Sequence, residues 1–236
     1  MRESLIHGRV RIHEVWIAEG KKTVRAGEII QIARERNIPV RYKESRELKN
    51  LLPGIVHQGI VAVAEKFIYS DPDYIINIAL QSKGHGIIIA ADHITDEGNL
   101  GALIRTAAFF GAHGLIIPKD RSAGVTPGLL KRSSGAYACL SIARVVNMVR
   151  ALEHLEKKGF WIIGASGDAD CSIFRFDWNR NVVLVLGNEQ KGLSRSVRKH
   201  CHQIVGIPSS GHVESLNIAI AGGVVLAEIL RQRMQI

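Results

Sequence analysis

The run between residues 86 and 118 decides the fold class. It opens Gly86-Ile-Ile-Ile-Ala-Ala91, continues through Asn99 to Phe110, and closes Gly114-Leu-Ile-Ile-Pro118. The outer pieces are short, unbroken apolar runs of the kind found in strands buried on both faces. The middle piece carries Leu103, Ile104, Ala107 and Ala108 at helical spacing,. The same rhythm continues downstream. Val146 to Lys158 reads as a helix, Phe160-Trp-Ile-Ile-Gly164 and Val182-Val-Leu-Val-Leu186 as strands, Ile204 to Ile207 as a strand, and Leu216 to Arg231 as a closing helix. Apolar strands alternating with helices predict a parallel sheet covered on both faces, so the fold class is α/β.

Upstream, the elements are smaller. Val15 to Ala18 reads as a strand, Ala26 to Arg36 as a helix ending before Pro39, and Gly59 to Ala64 as a second strand,. Tyr69-Ser-Asp-Pro-Asp73 reads as a linker, its Asp71-Pro72 pair serving as breaker and helix start,. The expected organisation is a small α/β domain over 1–68, a linker and helix over 69–84, and a larger parallel-sheet domain over 85–236.

The 236 residues carry 31 Lys plus Arg against 22 Asp plus Glu, a net charge of +9, with 46% hydrophobic residues. That balance is globular rather than disordered. Residues 1–70 hold 13 basic and 8 acidic side chains, so this minor part of the chain carries +5 of the excess. A positive field of that kind attracts polyanions, nucleic acid first among them. No apolar run approaches the ~18 residues of a membrane span, and Met1-Arg-Glu-Ser4 does not begin a signal peptide,. Three scattered cysteines form no disulfide framework and no Cys-x-x-Cys pair,. His200-Cys201-His202 lacks a second ligand pair, so no metal is expected. A reduced, cytoplasmic setting follows.

Several nucleotide and nucleophile motifs fail. Gly187-Asn-Glu-Gln-Lys-Gly192 follows a strand, but Leu193 stands where a phosphate loop needs lysine,. No Gly-x-Gly-x-x-Gly follows any strand, which removes a dinucleotide site. Gly164-Ala-Ser166-Gly167 is one residue short of a nucleophile elbow,. What remains is three polar islands at apolar strand ends: Asn99-Leu-Gly-Ala-Leu-Ile-Arg105-Thr106-Ala107, Leu186-Gly187-Asn188-Glu189, and Ile207-Pro208 with Ser215-Leu216-Asn217. Arg105 is an unusual charge in an apolar helix, either functional or half of a buried ion pair. Six residues separate it from Asn99, about 600° of helix, so the two are not a simple one-face pair. Ser215 is either functional or a helix cap.

Together the islands resemble the three motifs of the SpoU/TrmH family of RNA ribose 2′-O-methyltransferases, in family order over about residues 85–233. His7-Gly8 and Val56-His-Gln-Gly-Ile60 resemble the small substrate-binding domain of the subgroup acting on large-subunit ribosomal RNA. The resemblance implies a C-terminal trefoil knot, a feature too rare for periodicity to suggest, and a homodimer with active sites at the subunit interface. It implies S-adenosylmethionine as methyl donor, held by backbone near Gly187, Ile207 and Leu216. Asn99, Arg105, Glu189, Ser215 and Asn217 would line the reacting site, and the substrate would be a ribose, guanosine by resemblance, in 23S ribosomal RNA. Two other readings keep part of this: ribose methylation of transfer RNA, and a ribosome-binding or resistance-type module without turnover. Glu97-Gly98, Gln190-Lys191 and the segment from Pro208 to Glu214 depart from the family pattern around the reactive residues.

Overall fold

The computed structural model describes residues 1–7, 10–21, 23–51, 58–211 and 215–234. The chain divides into two compact units, Met1–Ile68 and Tyr69–Ile236.

The first unit runs α1 (Arg2–His7), β1 (Ile12–Ala18), α2 (Val24–Glu35), β2 (Val40–Lys43), α3 (Ser45–Leu51) and β3 (Ile60–Ala64). Its sheet has the order β2-β1-β3, with β2 parallel and β3 antiparallel to β1. Leu5, Val15, Ile17, Ile29 and Ala33 form its buried centre. The Thr23 hydroxyl accepts from Ala26 N and starts α2 three residues after a positive-φ Gly20,. Arg34, Arg46 and Lys49 are exposed and make no ion pair among the described residues. Tyr42, 57% exposed, stands between Arg41 and Lys43 on β2. Of the Val56-His-Gln-Gly-Ile60 and His7-Gly8 signatures, positions 56, 57 and 8 lie outside the described residues.

The second unit contains α4 (Pro72–Leu80), β4 (Ile87–Ala91), α5 (Glu97–Phe109), β5 (Gly114–Pro118), α6 (Pro127–Arg132), β6 (Ser141–Val145), α7 (Met148–Lys157), β7 (Trp161–Ala165), β8 (Cys171–Ser172), β9 (Val182–Leu186), α8 (Arg195–Lys199), β10 (Gln203–Gly206) and α9 (Ile218–Met234). Asp71, Asp96, Thr126 and Asn147 cap α4, α5, α6 and α7 through side-chain oxygens,. All seven strands are parallel, in the order β6-β5-β4-β9-β7-β10-β8. Every residue of β4, β5 and β9 is buried, as unbroken apolar runs require,. Ile75, Ile76 and Ala79 of α4, Leu152 and Leu155 of α7, and Val197 of α8 share one core with β4, β7 and β9. In contrast α5 packs on α6 and α9.

The strand order has a consequence for function. The chain lays β4, β5 and β6 outward in one direction, restarts at β7, and only later slots β9 between β4 and β7. Order therefore reverses around β9, and ligands of open α/β sheets bind at the carboxyl ends of strands where that happens. No helix among the described residues is long and apolar enough to cross a membrane.

Candidate active site

The loops after β4 and β9 leave adjacent strand ends and are stapled together. Asp92 N donates to Leu186 O at 2.8 Å, and Asn188 Nδ2 donates to His93 O at 3.0 Å. The Asp92 carboxylate, fully buried, accepts from Ser194 N at 2.7 Å and contacts His93 Nδ1 at 2.6 Å. Gly187 sits beneath the return of its own loop: a Cβ there would stand 2.2 Å from Gly192 C and 2.3 Å from Leu193 N, both backbone atoms. Only glycine fits that crossing. Asn188 and Gly192 close the loop with reciprocal backbone hydrogen bonds of 3.0 and 2.8 Å. Asn188 Oδ1 accepts from Gln190 N and Lys191 N at 3.0 and 3.1 Å. The turn is thus held by Asn188 through the backbone of Gln190 and Lys191.

Three of the expected site residues meet directly. Asn99 Nδ2 donates to Glu189 Oε1 at 2.8 Å, Asn217 Nδ2 donates to Asn99 Oδ1 at 2.7 Å, and Ala219 N donates to Asn217 Oδ1 at 2.9 Å. A carboxylate only accepts, so the Asn99 NH2 must face Glu189 and its oxygen must face Asn217. Asn217 then has only its oxygen left for Ala219 N–H. One amide orientation satisfies every member, and one residue from each of the three islands belongs to the chain.

Asn99 is placed by Asp96, whose Oδ1 accepts from Asn99 N at 2.7 Å. Glu97 accepts from Thr126 Oγ1 at 2.8 Å and so ties the start of α5 to α6. Asn217 is placed by its own cap bond to the start of α9. That function belongs to Asn217 and not to Ser215, which is exposed two residues earlier. Leu216 is 50% exposed. Ile207 is half-buried directly after β10.

Arg105 settles differently from a buried ion pair. It lies on the solvent side of α5 and makes no hydrogen bond or ion pair among the described residues. It is not bonded to the Asn99–Glu189–Asn217 chain. Phe109, one turn on, is 81% exposed, and Ile220 on α9 is 57% exposed. Gly222 and Gly223 let α9 approach closely, since a Cβ on them would stand 3.0 Å from Leu186 Cδ1 and 3.2 Å from Thr106 Cγ2.

The sequence singles out none of Asp92, Asp96 and Asn188 as a site residue, although all three orient the loops. Asp96 carried a usable signal, a capping residue before an apolar helix. Asp92 carries none, because its partners lie beyond an adjacent strand, and Asn188 is marked only by its place in the second polar island.

Residues 86–227 match the family model described as the SpoU rRNA methylase family, and residues 2–70 match that for RNA 2′-O ribose methyltransferase substrate binding. The 23S rRNA (guanosine-2′-O-)-methyltransferase RlmB of Pseudomonas aeruginosa is 37% identical over 97% of this chain and 92% of its own length. A putative TrmH family tRNA/rRNA methyltransferase of Bacillus subtilis, YacO, is 33% identical over 94% and 89%. The crystal structure of the SpoU methyltransferase AviRb from Streptomyces viridochromogenes, in complex with the cofactor AdoMet, superposes with a TM-score of 0.81 at 28% identity, covering 99% of this chain and 87% of that one. The motifs in their order, the parallel sheet that carries them and these matches over both units have one conclusion: the chain belongs to the SpoU rRNA methylase family.

Proposed function

We propose that this protein methylates the ribose 2′-oxygen of a guanosine in 23S ribosomal RNA, using S-adenosylmethionine, as a cytoplasmic homodimer. The observation that carries the reading is the hydrogen-bonded chain Glu189–Asn99–Asn217, built at the point where the strand order reverses. The 37% identity to RlmB over nearly the whole chain supplies the substrate class.

The residues suit the methyl donor. Gly187 and Ile207 directly follow β9 and β10 and offer backbone groups there, and the half-exposed Leu216 stands just before α9. This set offers hydrogen bonds and apolar surface, as an adenosyl group requires, and the trefoil knot belongs to this reading. When bound, S-adenosylmethionine supplies a methyl group already activated by a positive sulfur.

The chain's own residues then have to position a weakly acidic hydroxyl and manage its proton. A guanidinium offers hydrogen-bond donors and no acceptor, so Arg105 acts as a donor and not as a base. In this reading it orients the 2′-hydroxyl and an adjacent RNA phosphate, and that phosphate helps take the proton. Exposed, Arg105 has no partner among the described residues to surrender on binding RNA. Asn99 hydrogen-bonds the ribose or phosphate, Glu189 holds the loop and with it the donor's polar end, and Ser215 lines the same site. The 2′-hydroxyl is also what separates RNA from DNA.

The first unit, 1–68, is the RNA-binding domain of this scheme, its exposed Arg34, Arg46 and Lys49 meeting phosphates and Tyr42 offering a stacking face,. Phe109 and Ile220, both exposed near Arg105 and Asn217 on α5 and α9, supply an apolar face for the second copy,. Incubation with labelled S-adenosylmethionine and unmodified RNA, followed by mapping of alkali-resistant linkages, tests the reading. One mark in 23S RNA is expected. A mark confined to transfer RNA overturns the substrate, and no mark in either RNA overturns the activity.

A further inference from the structure

Ser166, in the incomplete nucleophile pattern Gly164-Ala-Ser166-Gly167, donates its hydroxyl proton to Asp168 Oδ1 at 2.5 Å. Arg198 Nη1 donates to the same oxygen at 3.0 Å and to Ser166 Oγ at 3.3 Å. The Asp168 side chain is nonetheless 70% exposed, and its Oδ2 accepts nothing among the described residues. The Ser166 and Arg198 hydrogen bonds hold its carboxyl below the usual carboxylate range, so it is an ionised acceptor with one oxygen oriented and the other open,.

Its place in the fold gives that oxygen a context. Ser166 and Asp168 follow β7, the strand flanked by β9 and β10. Ser166 N donates to Val205 O at 3.0 Å, and a Cβ on Gly206 would stand 3.1 Å from Ser166 O and 3.3 Å from Ala169 Cβ. The loop after β7 therefore lies directly against the end of β10, beside Ile207, with Gly187 leaving the strand on its other side. We propose that Asp168 Oδ2 accepts hydrogen bonds from the vicinal hydroxyls of the methyl donor's ribose, with Ser166 and Arg198 as positioning residues. This rests on the methyl-donor reading above. A carboxylate is a good acceptor for a ribose diol. It is a poor partner here for the donor's ammonium group, because Arg198 already neutralises it and would repel a second cation.

Calorimetric titration of the full-length protein with S-adenosylhomocysteine, 5′-methylthioadenosine and the 2′,3′-dideoxy form of the latter tests this. Asp168→Ala should weaken the first two tenfold or more and leave the dideoxy ligand within twofold of wild type. Arg198→Ala should narrow the preference for the diol over the dideoxy ligand, a ratio that a merely structural role does not move. Equal losses for all three ligands in Asp168→Ala, or a loss for S-adenosylhomocysteine alone, overturn the proposal. Failure of the wild-type protein to bind S-adenosylhomocysteine overturns the methyl-donor reading itself, and the proposal with it. An unchanged thermal midpoint in both variants confirms that the folded protein is being compared.

Discussion

Asn99 is the junction of the site, and two substitutions there separate its chemistry from its structural contribution. Asn99→Ala removes the 2.8 Å bond to Glu189 and the 2.7 Å bond from Asn217. Both partners are exposed, so water replaces what is lost, and the cost to folding is about 1 kcal/mol. In a unit of this size that lowers the thermal midpoint by about 2–4 °C. Turnover should suffer far more, because Glu189 and Asn217 lose the side chain that hydrogen-bonds both of them. A misplacement of ~1 Å costs about a hundredfold in rate, or roughly 2.7 kcal/mol of barrier. Asn99→Asp sharpens the argument. It keeps the size of the side chain but sets an acceptor-only carboxylate against Glu189 Oε1, where wild type has a donor. Two carboxylates at that separation cannot both ionise freely, so one binds a proton with a raised pKa. A protonated carboxyl donates to Glu189 as the amide did. Asn99→Asp should therefore be slower than Asn99→Ala at pH ~8 and recover as the pH falls toward ~6, while wild type and Asn99→Ala show no such recovery. Single-turnover methyl transfer to 23S RNA, measured across that range beside thermal melts, is the assay. A turnover loss in Asn99→Ala below about fivefold would refute the junction, as would a pH response in Asn99→Asp that matches wild type.

Arg105→Ala should abolish methyl transfer while S-adenosylhomocysteine affinity and the thermal midpoint stay near wild type, because the guanidinium has no partner among the described residues; calorimetry and melting curves check both, and parallel losses would make Arg105 structural. Replacing Arg34, Arg46 and Lys49 together by alanine should weaken RNA binding and flatten its log–log salt dependence by about 2, at about 0.7 per phosphate contact to single-stranded RNA, with donor affinity untouched. His113, half-buried with Nδ1 accepting from Ile87 N at 3.1 Å, has its pKa lowered, first by burial. Its depressed folded-state pKa means that the unfolded chain binds the proton more readily. Stability should therefore be fully present above pH ~6.5 and fall as the pH drops through the folded-state pKa; melts of wild type and His113→Gln between pH 5 and 8 should differ in slope only on the acid side. Burial pushes the Cys201 thiol up to about 12, so native protein at pH 8 should react with a thiol reagent at this position only after denaturant is added.

The fold class was legible because β4, β5 and β9 are buried throughout, and total burial writes itself into sequence as an unbroken apolar run. The strand β6 was not legible. Ser141-Ile-Ala-Arg-Val145 mixes polar and apolar residues because it lies at the end of the sheet order, and Arg144 there is exposed and donates to Lys119 O. The two-residue β8 and the five-residue α8 are too short for any period to register. Boundaries moved where a cap outranked hydrophobicity. The helix read from Asn99 begins at Glu97, because Asp96 accepts the Asn99 N–H, and the helix read from Val146 begins at Met148, because Asn147 caps it. The sheet order itself was invisible: nothing in the apolar pattern of Val182–Leu186 says that it inserts between β4 and β7 rather than extending the edge.

That insertion also explains how three polar side chains distant in sequence come to meet. Asn99, Glu189 and Asn217 are far apart in sequence, and each sits just past a strand or at the start of a helix. Such positions tolerate polar side chains only where backbone caps or other polar groups satisfy them. The sheet brings two of them together by placing β9 against β4, and α9 brings the third by packing on α5. Asn217 then serves twice: its oxygen caps the first turn of α9, and its NH2 group reaches Asn99. The cap fixes where α9 begins, and the packing of α9 against α5 fixes where that NH2 points. Catalytic geometry in this reading is therefore a by-product of helix initiation. Asn217→Ser keeps an N-cap oxygen while losing the NH2 group, so it should preserve the melting midpoint within about 2 °C and still cost turnover as Asn99→Ala does. If turnover survives Asn217→Ser, the hydrogen bond from Asn217 to Asn99 contributes nothing to turnover and the reacting site consists of Asn99, Arg105, Glu189 and Ser215.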